Sequence, residues 1–149
     1  MSISKIKNSF ISNTLLSRGF TELSDIQNKI LDVYQNKKDF LVTSQTGSGK
    51  TIAYFLSIQD EISLNKIKEK SSPSVLIIAP TRELAIQVYE EALWVFKREN
   101  INVVTTIGGM DIKKERKNLL TKFSLLIGTP GRINLSLIHI SEPTRRVFI

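Results

Sequence analysis

Short apolar runs alternate along this chain with stretches whose apolar residues recur at helical spacing. Four of these runs predict strands, at residues 40–43, 75–79, 103–107 and 125–127. The run at 75–79 is continuous and rich in β-branched residues, which indicates a strand buried on both faces of its sheet. Strand, loop and helix follow one another repeatedly, and this order predicts an α/β domain with a mostly parallel sheet flanked by helices.

Two of the predicted helices have recognisable starts. Thr81 can cap the helix that follows the second run. Thr129 can cap another, with Pro130 at a first helical position where its missing N–H costs little. An apolar stripe marks the buried side of the first of these helices and consists of Leu84, Ala85, Val88, Tyr89, Ala92, Leu93 and Phe96. Trp94 widens this surface, and we expect it to pack rather than to contact a ligand.

A further helix start allows two roles for one glutamine. Ser24 followed by Gln27 fits a capping box, in which the glutamine side chain reaches back to the N-cap backbone. A glutamine amide also offers one donor beside one acceptor, which matches an adenine edge. The residues alone leave both roles open. Phe10, further upstream, is compatible with the core side of an amphipathic helix that also carries Ile6 and Leu15.

Residues 44–51, SQTGSGKT, have the composition of a phosphate-binding loop between a strand and a helix. Gly47 and Gly49 allow a tight turn that brings backbone N–H groups close to a polyphosphate. Lys50 can place its charge on the outer phosphates and Thr51 can hold a Mg²⁺ ion, at a helix start that favours anions. A chance glycine-rich turn is the alternative, and the strict pattern has glycine where this chain has Ser44. We predict a nucleotide site formed by Ser44, Gln45, Thr46, Gly47, Ser48, Gly49, Lys50 and Thr51.

Composition narrows the picture further. The chain has 149 residues, enough for one domain with a real core, and a net charge of +7 that suits an anionic partner such as nucleic acid. The charged run at 113–117 is expected to form a solvated helix face, and the polar segment 66–74 an exposed loop. The chain contains no cysteine, and no apolar run reaches the length of a signal peptide or a membrane span. We therefore expect a cytoplasmic protein without membrane contact.

Four motifs follow one another along the chain. Residues 80–85 read PTRELA, Gly108 and Gly109 form a glycine pair, and residues 129–132 read TPGR. Upstream, Gly19 and Phe20 are followed by Gln27, and Phe10 lies seventeen positions before this glutamine. In order and spacing these motifs closely resemble those of the DEAD-box RNA helicases, in which the segment around Gln27 is called the Q motif. The resemblance covers residues 10 to about 134 and implies an N-terminal RecA-like domain of an ATP-dependent RNA helicase.

The resemblance also implies roles for individual residues. ATP with Mg²⁺ would be the cofactor, Gln27 would hydrogen-bond adenine, Phe20 would cover its ring, and Lys50 and Thr51 would be the catalytic-site residues present. The RNA-contacting residues would be Pro80, Thr81, Arg82, Gly108, Gly109, Thr129, Pro130, Gly131 and Arg132, which touch the sugar–phosphate backbone without reading bases. Taken segment by segment, the same residues also fit simple strand ends and helix caps.

The end of the chain departs from the family. No D-E-A-D carboxylates follow the TPGR motif, since the only acidic residue after Arg132 is Glu142. Residues 135–145 resemble the in-frame translation of a sequencing-library adapter. We therefore expect residues 1–134 to be a partial helicase domain, inactive by itself, and residues 135–149 to be a non-native tail. The alternatives are a genuine non-catalytic nucleotide- or RNA-binding module, and a DNA-acting motor of the same superfamily.

Overall fold

The computed structural model describes residues 3–34, 39–62, 74–97, 101–109 and 111–141. Its helices are α1 (Ser9–Ser17), α2 (Asp25–Val33), α3 (Lys50–Ser57), α4 (Gln59–Ile62), α5 (Arg82–Val95), α6 (Ile112–Leu119) and α7 (Pro130–Ser141), with a 3-10 turn at Ile3–Lys5. Its strands are β1 (Val75–Ile78), β2 (Val103–Thr106) and β3 (Leu125–Gly128). Across the described ranges, no helix has both the length and the apolar character needed to cross a bilayer.

The chain forms two compact units. The first contains Met1–Lys70 and Glu90–Ile101, and the second contains Ser71–Tyr89 and Asn102–Ile149. In the first unit, α2 packs against α3, and Ile11, Leu15, Phe55, Leu56 and Ile62 are fully buried. The ring of Phe55 also meets that of Phe96 edge-on, with centroids 5.3 Å apart.

The second unit contains a three-stranded parallel sheet in the order β1-β3-β2. Leu125 of β3 pairs with Val75 on one side and with Val103 on the other. Every residue of β3 is buried, as expected for a central strand covered on both faces. The predicted α/β class with a parallel sheet and flanking helices is confirmed.

One strand prediction was wrong, and another was wrong in part. Residues 40–43 form no strand, and the side chain of Leu41 is 93% exposed. An apolar run becomes a strand only where another strand takes up its backbone groups, and residues 39–45 form no such ladder. β1 forms where predicted, but Leu76 and Ile78 are 48% and 56% exposed, so the described structure covers only one of its faces.

The helix predictions were more accurate. α5 begins after Thr81, and α7 begins at Pro130, as the capping residues indicated. Leu84 and Leu93 lie at the exposed border of the α5 stripe rather than in the core. Phe10 is also exposed, whereas Ile6 and Leu15 are buried, so the core reading of Phe10 was wrong. Most of the predicted loop at 66–74 lies outside the described residues.

Candidate nucleotide site and nucleic-acid interface

The predicted phosphate-binding loop has the backbone of a cradle. Gly47 and Gly49 have φ angles of 77° and 86°, in the left-handed region that side chains disfavour. Gly49 is the N-cap of α3, which begins at Lys50. The loop therefore ends at a helix N-terminus, whose free N–H groups and dipole favour an anion.

Lys50 turns its ammonium group back onto the loop. Its Nζ donates to the carbonyl oxygens of Ser44 and Gln45, at 2.6 Å and 2.5 Å. The hydroxyls of Ser44 and Ser48 lie 2.6 Å apart. Ser44, which stands where the strict pattern has glycine, thus contributes a side chain that braces the loop. To bind a polyphosphate, Lys50 would have to leave these two carbonyl oxygens. It would then replace two hydrogen bonds to neutral carbonyls by an interaction with a negatively charged phosphate.

Gln27, in helix α2, connects this helix to the phosphate-binding loop. Its Oε1 accepts from the backbone N–H of Ser24 at 3.0 Å, and its Nε2 donates to the carbonyl of Gly49 at 3.2 Å. The capping box is therefore confirmed. Gln27 is only 3% exposed. Each end of its amide makes one hydrogen bond within the protein, and recognition of adenine would use the second donor on Nε2 and the second lone pair on Oε1.

Phe20 belongs to an aromatic cluster in the same unit. Its ring stacks on Trp94 with centroids 6.4 Å apart and an angle of 23° between the planes. The guanidinium carbon of Arg18 lies 4.4 Å from the centroid of the Trp94 ring, a cation–π contact. Trp94 therefore packs, as expected. Its partner is Phe20, the residue whose ring would cover adenine according to the resemblance.

The three segments predicted to touch RNA lie at one edge of the sheet. PTRELA follows β1, the glycine pair follows β2, and TPGR follows β3. Because these strands are parallel and adjacent, their carboxyl ends meet at the same edge. The sheet therefore brings together segments separated by up to about 50 positions in the chain.

Contacts within this edge join the segments further. The hydroxyl of Thr81 accepts from the N–H of Leu84 at 3.3 Å and caps α5. Gly109 has a φ of 83°, and the guanidinium of Arg82 lies so close that a β-carbon on Gly109 would collide with its Nη1. Pro80, Thr81, Arg82, Gly108, Gly109, Pro130 and Gly131 are all exposed. The edge thus presents a cation, two helix starts and a glycine turn to solvent.

Arg132, in contrast, is largely committed to another residue. Its Nε lies 3.2 Å and 3.0 Å from the two carboxylate oxygens of Glu115, and its Nη2 lies 2.8 Å from Oε2. The Glu115 side chain is 2% exposed and the Arg132 side chain 19%. The hydroxyl of Thr106 also donates to Glu115.

The sequence analysis missed this carboxylate because it lies in a charged run. Lys113, Lys114 and Lys117 are exposed as predicted, but Glu115 is buried. Its helical spacing from Ile112 and Leu119 was an available signal, because residues three and four apart share a helix face.

Thr51 is the residue to which the resemblance assigns a Mg²⁺ ion. Among the described residues, no group of three or more histidine, cysteine, aspartate and glutamate side chains is placed to hold a metal ion. Thr51 stands at the second position of α3, next to Lys50. A Mg²⁺ ion held by this hydroxyl would take its other ligands from phosphate oxygens and water, as Mg²⁺ commonly does.

Comparison with known proteins defines the class of protein. The family model described as DEAD/DEAH box helicase matches residues 24–148. The chain therefore belongs to the DEAD/DEAH box helicase family.

Curated relatives from two kingdoms agree with this assignment. The chain is 38% identical over 128 residues to the ATP-dependent RNA helicase DBP4 of Debaryomyces hansenii, covering 86% of this chain and 16% of that protein. It is 37% identical over 141 residues to the DEAD-box ATP-dependent RNA helicase CshA of Bacillus cereus, covering 92% and 26%. The chain thus spans 16% of the length of the first relative and 26% of the length of the second.

Solved structures show the same fold. A DEAD box protein from the hyperthermophile Methanococcus jannaschii aligns with a TM-score of 0.72 at 30% identity, over 85% of this chain and 33% of that one. Saccharomyces cerevisiae Dbp5, bound to RNA and ADP BeF3, aligns with a TM-score of 0.77 at 25% identity, over 93% and 34%. These neighbours are RecA-like helicase domains, as the sequence analysis expected.

Proposed function

We propose that this chain is the ATP-binding and part of the RNA-binding portion of an ATP-dependent RNA helicase. The observation that carries the proposal is the meeting of PTRELA, the glycine pair and TPGR at one edge of a parallel sheet. Such an edge offers N–H groups and a cation to phosphates, and contacts with phosphates position a strand without reading its bases. The Dbp5 structure, which contains RNA and ADP BeF3, supports the same pair of ligands here.

The nucleotide half of the proposal rests on the first unit. The loop from Ser44 to Thr51 would hold the phosphates of ATP and one Mg²⁺ ion, with Lys50 released from its loop carbonyls onto the outer phosphates. Phe20 and Gln27 would hold adenine. Because Gln27 also donates to the Gly49 carbonyl, the adenine site and the phosphate-binding loop would be linked through this hydrogen bond.

The RNA half can be tested by fluorescence anisotropy with a labelled single-stranded RNA. Arg82→Gln should weaken binding several-fold, since it removes the exposed cation beside Gly109. Lys122→Gln is a matched control, because it removes the same charge from an exposed residue just before β3, at the opposite edge of the sheet. If both variants lost the same amount of RNA affinity, RNA binding would depend only on the overall charge, and the proposed interface would be contradicted.

Two further measurements separate the alternative functions. A single-stranded DNA of the same sequence, bound as tightly as the RNA, would favour a DNA-acting motor. Binding of a fluorescent ATP analogue without phosphate release is expected, since the sequence contains no D-E-A-D motif, whose carboxylates the resemblance assigns to holding Mg²⁺ and polarising the attacking water. Steady ATP turnover by the 149-residue chain would overturn that expectation.

We also propose that residues 1–134 form a partial helicase domain and that residues 135–149 are an adapter-derived tail. Helix α7 runs through this boundary, and neither it nor the family match bears on the origin of the tail. Resequencing the source locus through the codons for 125–149 tests the proposal. A frame that continues past Asn134 into acidic residues and a second domain would support it, whereas a clean read ending after Ile149 would favour a short binding module.

A cytoplasmic location is part of the proposal, and microscopy of a fluorescent fusion would test it.

A further inference from the structure

The buried carboxylate of Glu115 lies at the junction of two RNA-facing segments. It receives the guanidinium of Arg132, in the first turn of α7, and the hydroxyl of Thr106, the last residue of β2. The glycine pair begins two residues after Thr106. The backbone N–H of Thr129 also donates to the carbonyl of Thr106, at 3.3 Å. The TPGR segment is thus joined to the end of β2, just before the glycine pair, both through the buried Glu115 and through this backbone hydrogen bond.

A carboxylate in this position requires its partners. Removing an ionised carboxylate from water is costly unless a cation and hydrogen bonds compensate it. Glu115 is 2% exposed and therefore depends on Arg132 and Thr106. The dependence is mutual, because an arginine whose Nε and Nη2 face a carboxylate offers a phosphate neither those donors nor its full charge.

We propose that Glu115 is a positioning residue of the RNA surface, which holds the first turn of α7 and the end of β2 at a fixed spacing. This inference rests on the proposed RNA binding of the same edge. In this arrangement Arg132 orients the TPGR segment, whereas the backbone N–H groups at the start of α7 and the exposed Arg82 meet the phosphates. Arg132 is then a positioning residue as well, rather than a phosphate ligand.

The direction in which one substitution changes RNA affinity distinguishes this positioning role from simple electrostatics. Glu115→Gln removes a negative charge from the neighbourhood of the RNA and frees Arg132, so electrostatics alone would tighten RNA binding. A positioning role has the opposite consequence, because the amide cannot hold the guanidinium through two anionic oxygens and the segment loses its fixed orientation. We expect RNA affinity to fall about five- to tenfold in spite of the more positive charge.

Asp111 provides the matched control. It is exposed, it precedes α6, and its Oδ1 accepts from the N–H of Lys113 at 2.8 Å. Asp111→Asn changes the charge by the same amount four residues away, and asparagine caps a helix as well as aspartate does. We expect this variant to bind RNA as tightly as the unchanged chain or slightly more tightly.

Arg132 supplies a second, independent arm. Arg132→Lys keeps the positive charge but loses the planar fork, so a phosphate ligand would largely survive the change and a positioning residue would not. We expect Arg132→Lys and Arg132→Gln to lower RNA affinity to a similar extent. The slope of log affinity against log salt should stay unchanged in Arg132→Lys and change in Arg132→Gln by less than the roughly 0.7 expected for one lost contact with a single strand.

The experiment is RNA anisotropy over a salt series, with thermal melting by circular dichroism and binding of a fluorescent ATP analogue as checks on folding. Weaker RNA binding by Glu115→Gln, with ATP-analogue affinity retained and Asp111→Asn unaffected, supports the inference. RNA binding by Glu115→Gln equal to or tighter than that of the unchanged chain overturns it. If Glu115→Gln loses its melting transition, Arg132→Lys decides, and full RNA affinity in that variant overturns the inference. Failure of the unchanged chain to bind RNA would instead remove the proposed function and this inference together.

Discussion

The contact between Gln27 and Gly49 can be measured with two alanine substitutions in the same loop. Gly47 and Gly49 have nearly the same left-handed conformation, with φ angles of 77° and 86°. A β-carbon on Gly47 would meet nothing within 4 Å, whereas one on Gly49 would lie 2.5 Å from Nε2 of Gln27. The two substitutions therefore impose the same backbone strain and differ in whether they displace Gln27.

The expected difference follows from the bonds that Gln27 makes. Alanine in a left-handed conformation costs about 1–2 kcal/mol, and Gly47→Ala should destabilise the first unit by about that amount. Gly49→Ala adds the loss of the Gln27–Gly49 hydrogen bond, worth roughly 1 kcal/mol. Displacement of Gln27 also disrupts the capping box at Ser24, worth roughly another 1 kcal/mol. Gly49→Ala should thus be the more destabilising by about 2 kcal/mol, the sum of these two contributions.

Urea unfolding followed by circular dichroism would measure both free energies. A second background, Gln27→Ala, removes the obstructing side chain. In that background the costs of Gly47→Ala and Gly49→Ala should converge to within about 0.5 kcal/mol, as expected when an interacting partner is absent. Equal costs in the original chain, or a difference that persists without Gln27, would refute the reasoning.

Three other substitutions or probes follow from the geometry. Gly128→Ala should destabilise the second unit by about 3 kcal/mol or more, because its β-carbon would meet Thr106 and Ile133, whereas helical Gly131→Ala meets nothing and should stabilise by up to about 1 kcal/mol. Gly109→Ala should weaken RNA binding several-fold, because it strains the turn and displaces the guanidinium of Arg82. Trp94, the only tryptophan, should change its fluorescence when an adenine nucleotide contacts Phe20.

Each of these outcomes has a defined contradiction. Comparable melting temperatures for Gly128→Ala and Gly131→Ala would mean that β3 and α7 accommodate a methyl group that the geometry excludes. Unchanged RNA binding by Gly109→Ala would mean that Arg82 does not contribute to the RNA interface. A tryptophan signal that responds equally to ATP and to inorganic triphosphate would place the change at the phosphate loop rather than at Phe20.

Local chemistry explains which parts of the structure could be predicted from sequence. The starts of α2, α5 and α7 were predicted from Ser24, Thr81 and Pro130. This was possible because the start of a helix depends on side chains within a few positions of it. The positive φ angles of Gly47 and Gly49 likewise follow from the residue type and its place in the loop. Roles of Phe20, Gln27 and the RNA-facing residues, which came from the family resemblance, remain proposals.

Properties that depend on a distant partner were decided only by the tertiary structure. Residues 40–43 have the apolar character of a strand yet form none, and Leu76 and Ile78 of β1 stay exposed, because pairing and coverage come from other parts of the chain. Glu115 was grouped with its charged neighbours, and its burial depends on Arg132, which lies beyond an intervening strand. The sequence by itself determined the helix starts, the loop glycines and the family. Packing decided which apolar faces are covered and which arginine faces a carboxylate, since the energy of burying a group depends on the partner that the fold brings to it.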